Sequence, residues 1–150
     1  MSTNSSIIVR HPTTGVYASV YVHSDGYLAH NGVILQNCFT TLEQVIALIS
    51  LGDLSYLGHS YETALSYHRW RNEPIEIKVS NVLEDHADYE YNYLFAEGKW
   101  FVKFQPPVWT PLAPLVEDMR IPRIADTSDR WDGKTRYVGK ELSKLIGWSV

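Results

Sequence analysis

Two short stretches carry side chains that could bind or react. The first is Tyr21-Val22-His23-Ser24-Asp25-Gly26-Tyr27, with His30 close behind. A histidine and a carboxylate two residues apart could act as a general base and its orienting group, or as two metal ligands. Asp25-Gly26 is equally a turn signal, and a histidine at a strand end is commonly solvated or hydrogen-bonded. The second stretch is Tyr67-His68-Arg69-Trp70-Arg71. Read as a strand, it puts Tyr67, Arg69 and Arg71 on one face and His68 and Trp70 on the other. Two arginines beside a tyrosine suit a phosphate or carboxylate, and the neighbouring rings suit a stacked base. The plainer alternative is a pair of surface arginines meeting Glu73 or Glu76. Tyr21, His23, Asp25, Tyr27, Arg69 and Arg71 are therefore the candidate ligand- or partner-binding residues, and no residue is assigned as catalytic.

Other chemistry finds little support. The histidines at 11, 23, 30, 59, 68 and 86 form no His-Glu-x-x-His, no His-x3-His and no Cys-His spacing, so neither a metal nor a cofactor is expected. Cys38 is the single cysteine, which excludes an internal disulfide. It precedes a helix start, where a thiol can become acidic, but no base partner is marked; it reads as a small buried residue. There is no Gly-x-Gly-x-x-Gly, Walker loop or Gly-x-Ser-x-Gly. The formal charge of −4 comes with no basic stripe, which argues against non-specific nucleic-acid binding. The N-terminus lacks the pattern of a signal peptide, and no apolar run approaches the roughly 18 residues that a membrane span needs. A cytoplasmic, membrane-free protein is expected.

Local patterns supply the elements that would position these side chains. Residues 6–11 and 16–23 read as two strands joined by Pro12-Thr13-Thr14-Gly15. In the second, Val16, Ala18, Val20 and Val22 share one face, suited to a core. Tyr17, Ser19, Tyr21 and His23 share the other, an amphipathic surface that could bind a partner. Asn31-Gly32 signals a turn, and Val33-Ile34-Leu35 a short helix or turn. The spacing of Leu42, Val45, Ile46 and Ile49 predicts a helix over 41–51, with a capping box from Thr40 to Glu43 and Gly52 at its left-handed end. Residues 53–58 read as a loop whose leucines cover the helix end.

Further on, 64–71 reads as a strand, Ile75, Ile77 and Val79 alternate as another, and 80–88 suits a helical turn. The strongest hairpin spans Tyr89 to Phe104. A Glu97-Gly98 turn pairs Ala96 with Lys99, Phe95 with Trp100, Tyr93 with Val102 and Tyr91 with Phe104. That register gathers six aromatic or β-branched residues on one face. Prolines at 106, 107, 111 and 114 predict extended, irregular chain, and 140–146 a short helix facing Leu142, Leu145 and Ile146 inward. With 150 residues and ordinary globular composition, one core is expected. The expected fold is α+β: an antiparallel sheet of about six strands on one main helix. Residues 1–105 form the core domain, and 106–150 a proline-rich extension packed on the same domain.

Four blocks together resemble a known family. They are Tyr21-x-His23-x-Asp25-Gly26-Tyr27; His30-Asn31-Gly32-x-x-Leu35; Val45-x-x-Leu48-Ile49-x-Leu51-Gly52-Asp53-x-Ser55-x-Leu57-Gly58; and Tyr67-His68-Arg69-x-Arg71-x-Glu73. With the Tyr91–Trp100 hairpin, they resemble a family of small accessory proteins of tailed phages and prophages, over about residues 6–104. The chain departs from that pattern at Ser24 (usually aromatic), Trp70 (usually acidic) and Asn72 (usually glycine). The acid missing at 70 counts against carrying over a catalytic role. The resemblance implies a setting, a bacterial host, rather than a reaction. Together with the absence of catalytic motifs and the aromatic surface, that setting leads to the expectation of an accessory protein that binds and modulates or inhibits a host protein, in an anti-defence role. One alternative is a nucleotide-signal sequestering protein using the arginines. Another is a small metal-dependent or His/Asp hydrolase or nuclease using His23, Asp25 and His68. A homo-oligomer is compatible with each.

Overall fold

Strands β1 (Ser5–Arg10) and β2 (Tyr17–Val22) form an antiparallel pair, with Ile7 opposite Val20 and Val9 opposite Ala18. The computed structural model describes residues 3–104 and 108–124. A five-residue π-helical turn, Leu28–Gly32, leads directly into α1 (Val33–Cys38). Helix α2 (Leu42–Ile49) follows, then β3 (Leu54–Tyr56), β4 (Leu65–Ser66) and α3 (Tyr67–Arg71). Strand β5 (Lys78–Ser80) precedes a 3-10 turn, Leu83–His86. The hairpin β6 (Tyr91–Ala96) and β7 (Lys99–Lys103) comes next, then β8 (Trp109–Pro111) and α4 (Ala113–Val116).

The protein is α+β and mostly sheet. Among the described residues the sheet has eight strands, in the order β4-β3-β2-β1-β6-β7-β8, with β5 also on β2. Its pairing is mixed rather than antiparallel throughout. Strands β1 and β6 run parallel, with Ile7 beside Tyr93, and β2 meets β3 in parallel at Val22 and Leu54. Parallel neighbours require a long crossover between them, which separates the two sequences and hides the pairing from local pattern. The proline-rich segment also differs from an irregular wrap, since 109–111 pair with β7 as an edge strand. Proline is tolerated there because an outer edge needs no donor. Leu112 and Val116 enter the core. The helix expected at 140–146 lies outside the described residues.

One sheet face holds the core. Ile7, Val9, Ala18, Val20, Val22, Tyr93, Phe95, Trp100 and Val102 are buried against residues of α1 and α2, among them Ile34, Leu35, Val45, Leu48 and Ile49. The valine face of β2 thus packs inward as its alternation requires. Two buried polar groups tie the layers together. The Tyr93 hydroxyl donates to the Gly26 carbonyl (2.6 Å) and Trp100 Nε1–H to the Phe39 carbonyl (2.8 Å). Helix α2 is capped one residue later than expected: Thr41 is the N-cap, and its reciprocal partner is Gln44 rather than Glu43. Thr40 and Thr41 offer the same hydroxyl, and the helix register selects the second. In place of a loop at 53–58, residues 54–56 form β3.

The hairpin adopts the expected register, from Ala96 opposite Lys99 to Tyr93 opposite Val102. The rings of Tyr91 and Phe104 stack 5.2 Å apart. Both turn residues are left-handed, Glu97 at φ 55° and Gly98 at φ 75°, as a type I′ turn needs. Glycine meets that demand without strain, whereas glutamate does not. Glu97→Asn should therefore stabilise the protein by about 0.5–1 kcal/mol. Urea unfolding checks this; an unchanged or lower midpoint would show that the turn conformation carries no strain.

Candidate functional site

The polar face of β2 forms the floor of the site. Its inner edge pairs with β1 along its whole length, while its outer edge is divided between two short strands. Strand β5 takes Tyr17 to Ser19, antiparallel to Lys78–Ser80, and β3 takes Val22. The outward N–H of His23 reaches the Leu54 carbonyl (2.9 Å). Between these strands, among the described residues, the N–H of Tyr21 has no strand carbonyl to meet. The Asp53 carboxylate accepts it instead, at 2.9 Å. The Asp53 carbonyl in turn accepts the Tyr67 N–H at the start of α3 (3.2 Å). One residue thus joins β2, β3 and α3.

A groove of about 200 Å³ opens at this division, lined by Tyr21, Asp53, Glu76, Lys78, His86 and Tyr89 among others. Gly52 (φ 78°) brings the chain into it. A Cβ there would lie 2.9 Å from the Glu76 nitrogen and from Ile75 Cγ2, so only glycine lets this segment approach. Burial raises the pKa of Asp53; the Tyr21 N–H opposes that shift, and the nearby Glu76 charge adds to it. Burial likewise raises Tyr21, helped by Tyr67, Tyr89 and Asp53, and raises Tyr89, helped by Asp53 and Asp88. At the other end, His86 Nε2–H donates to the Ser80 carbonyl (3.3 Å), leaving Nδ1 to accept the Ser19 hydroxyl (2.6 Å). Burial lowers the His86 pKa and favours this neutral form.

An aromatic face continues outward from the groove. The rings of Tyr21 and Tyr89 lie 5.3 Å apart, tilted by 42°. Tyr67 and Trp70 stack at 6.3 Å, and the Arg71 guanidinium lies 4.2 Å over the Trp70 ring and 5.4 Å over that of Tyr67. Arg71 also meets Glu73 at 3.7 Å. The segment 67–71 is a helix and not a strand, which overturns the expected facing of its side chains. Ser66 caps it by accepting the Arg69 N–H (3.0 Å), and Asn72 closes it in the left-handed conformation at φ 56°. Asparagine shares that conformation with glycine. Helical spacing then puts Tyr67, Trp70 and Arg71 on one side and turns Arg69 inward.

The six expected residues separate accordingly. Tyr21 lies in the groove, its hydroxyl 2.6 Å from His23 Nδ1 and 3.2 Å from Asn4 Oδ1. Asp25 is left-handed at φ 58° and accepts the Tyr27 hydroxyl (3.3 Å), while the edge of the Tyr27 ring meets His30. His30 is buried, with Nδ1–H donating to Asn31 Oδ1 (2.9 Å) and Nε2 meeting the Tyr56 hydroxyl (3.2 Å). Arg71 belongs to the aromatic face. Arg69 does not: it is only 3% exposed, and its Nη1 donates to the carbonyls of Tyr61 (2.6 Å), Glu62 (3.1 Å) and Ala64 (3.2 Å). Its role is to hold the 61–64 loop, and the two arginines form no shared anion clamp.

Asp53, Glu76, His86 and Tyr89 are not singled out by the sequence for this site, and Tyr67 and Trp70 enter it only as rings beside the arginines. Asp53 lies inside the Leu-Gly-Asp block, and Tyr67 and Trp70 inside the second stretch, but only helical periodicity relates them. Among the described residues, no three His, Cys, Asp or Glu side chains are placed to hold a metal ion. Cys38 is half-buried, and burial raises its pKa, contrary to a reactive thiolate. No described helix is long and apolar enough to cross a membrane. Compared with family models, curated proteins and solved structures, the chain matches none.

The His86 environment gives stability a defined pH dependence. The folded pKa lies below the ordinary 6.5, so the unfolded chain binds this proton more readily. The contribution is fully present above pH 6.5 and is lost as pH falls from 6.5 through the folded value. Denaturant midpoints measured between about pH 8 and about pH 5 should fall on the acid side, with a smaller slope in His86→Gln. Equal slopes would show that His86 titrates alike in both states.

Proposed function

We propose that this chain is a phage-encoded accessory protein that binds a host protein through the aromatic face and modulates or inhibits it, in an anti-defence role. The observation that carries the reading is the convergence of Tyr21, Tyr67, Trp70, Tyr89 and Arg71 from separate elements onto one surface beside Asp53. Tyrosine, tryptophan and arginine are the residue types that dominate the binding energy of protein interfaces. Their rings give large contact area at small entropic cost, because few rotatable bonds must be fixed. Here Tyr67 and Trp70 are already stacked, and Arg71 lies across both. Such preorganisation lowers the cost of association. The resemblance to phage accessory proteins supplies the setting.

The two alternative readings draw less support. A nucleotide phosphate needs cations, but Arg69 is committed to three backbone carbonyls and the groove presents Asp53, Glu76 and Asp85. A hydrolase using His23, Asp25 and His68 needs those groups to act together. His23 faces Tyr21, Asp25 faces Tyr27, and His68 Nδ1–H is held by the Glu73 carbonyl at 2.8 Å.

A host protein retained by the wild type should be lost from the aromatic-face variants. Tyr67→Ala and Trp70→Ala should each weaken its binding by about tenfold or more, with little change in melting temperature. Quantified capture from host extract, followed by a binding isotherm with the purified partner, measures this. Undiminished binding by both variants would remove this face from the interface.

A further inference from the structure

The groove beside the aromatic face is matched to a particular kind of group. One wall is the tilted pair of Tyr21 and Tyr89, whose rings stand 5.3 Å apart. Aromatic faces attract cations through their negative quadrupole, most strongly where water is partly excluded. Against this wall stand the Asp53 carboxylate, half-buried, and Glu76. Among the described residues the ion pair formed is Arg71 with Glu73, so neither Asp53 nor Glu76 meets a cation within 4.0 Å. Lys78, the cation lining the groove, directs its Nζ to the Asp85 carbonyl at the other end. At that end burial lowers the pKa of His86 and so disfavours its charged form. Asp88 adds negative charge near Tyr89.

A partly buried carboxylate with a second one nearby is unfavourable until a positive charge arrives. Asp53 is nevertheless fixed in place, because its oxygen is committed to the Tyr21 N–H and its carbonyl to Tyr67. The site therefore holds its charge in a preorganised position, walled by rings and open to solvent. A guanidinium or ammonium head on an apolar stem fits both features: the head meets the carboxylates and the stem lies along the tyrosines.

We propose that the end of the groove bounded by Tyr21, Tyr89, Asp53 and Glu76 is a subsite for a basic side chain, an arginine or lysine projecting from the bound host protein. This rests on the host-protein reading for the identity of the partner. The subsite chemistry itself can be tested without one.

The test is a backbone amide NMR titration of the full chain with Nα-acetyl-arginine amide, and with Nα-acetyl-citrulline amide as its neutral counterpart. Saturating shifts are expected at Tyr21, Asp53 and Tyr89 with the arginine probe, and binding about tenfold weaker with citrulline. Asp53→Asn keeps an acceptor for the Tyr21 N–H while removing the charge, and should weaken arginine binding by about tenfold. Glu76→Gln, on the exposed side of the groove, should weaken it by a smaller factor and serves if Asp53→Asn fails to fold. Equal response to both probes, absence of shifts at Tyr21 and Tyr89, or unchanged affinity in the charge variants would overturn the proposal. Arginine binding without a captured host protein would leave the subsite standing and remove the host-protein reading. A captured partner without arginine binding would do the reverse.

Discussion

A backbone N–H at the edge of a sheet must find an acceptor, and at Tyr21 no strand among the described residues supplies one. The outer edge of β2 is divided between β5 on one side and β3 on the other, and the interval between them falls on Tyr21. An unsatisfied, half-buried donor would cost about 1–3 kcal/mol. The Asp53 side chain removes that cost by taking the place of a strand carbonyl. Much of the surrounding architecture follows. Asp53 must sit at the entrance to β3, so Gly52 must turn the chain there, and the same residue's carbonyl then receives the first turn of α3.

That arrangement also explains why the groove exists. A continuous outer strand would have filled the space over Val20 and Tyr21 with backbone. Two short strands leave it open, walled by the side chains of the segments that pass on either side. The proposed binding groove occupies an interruption in the sheet. The carboxylate that repairs the interruption is the same group that gives the groove its charge. Tyr21 and Tyr67 are both tied to Asp53 through their N–H groups, while Tyr89, held by Asn92, brings its ring to 5.3 Å from that of Tyr21.

How much of this was legible in the sequence varies by element, for physical reasons. The β6–β7 hairpin was legible in full, because alternation and a two-residue turn fix a register locally. Helix α2 was legible from its apolar stripe, although two adjacent threonines left the cap uncertain by one residue. The segment 67–71 reads as a strand but is a helix, because five residues contain barely one helical turn, too few to distinguish a period of two from one of 3.6. The decisive signals there were Ser66 before it and Asn72 after it. A strand period would leave Arg69 on the surface, whereas the helix buries it and groups Tyr67, Trp70 and Arg71. Parallel pairing of β1 with β6 was not legible, because residues such as Ser6 and Asn92, hydrogen-bonded at 2.9 Å, lie 86 positions apart. Asp53 was the hardest to see. Its role depends on where two other strands end, and no local pattern records that.

The divided sheet edge depends on the bond between Asp53 and the Tyr21 N–H. The measurement that addresses it most directly is residue-resolved amide hydrogen exchange in the wild type and in Asp53→Ala. The wild-type Tyr21 amide should be protected to a degree similar to that of His23, whose N–H is held by β3. In Asp53→Ala, Tyr21 should exchange about tenfold or more faster relative to its β1-facing neighbours Val20 and Val22. If Tyr21 exchanged rapidly in the wild type, or kept its relative protection after the substitution, Asp53 would not be the group that completes the sheet edge.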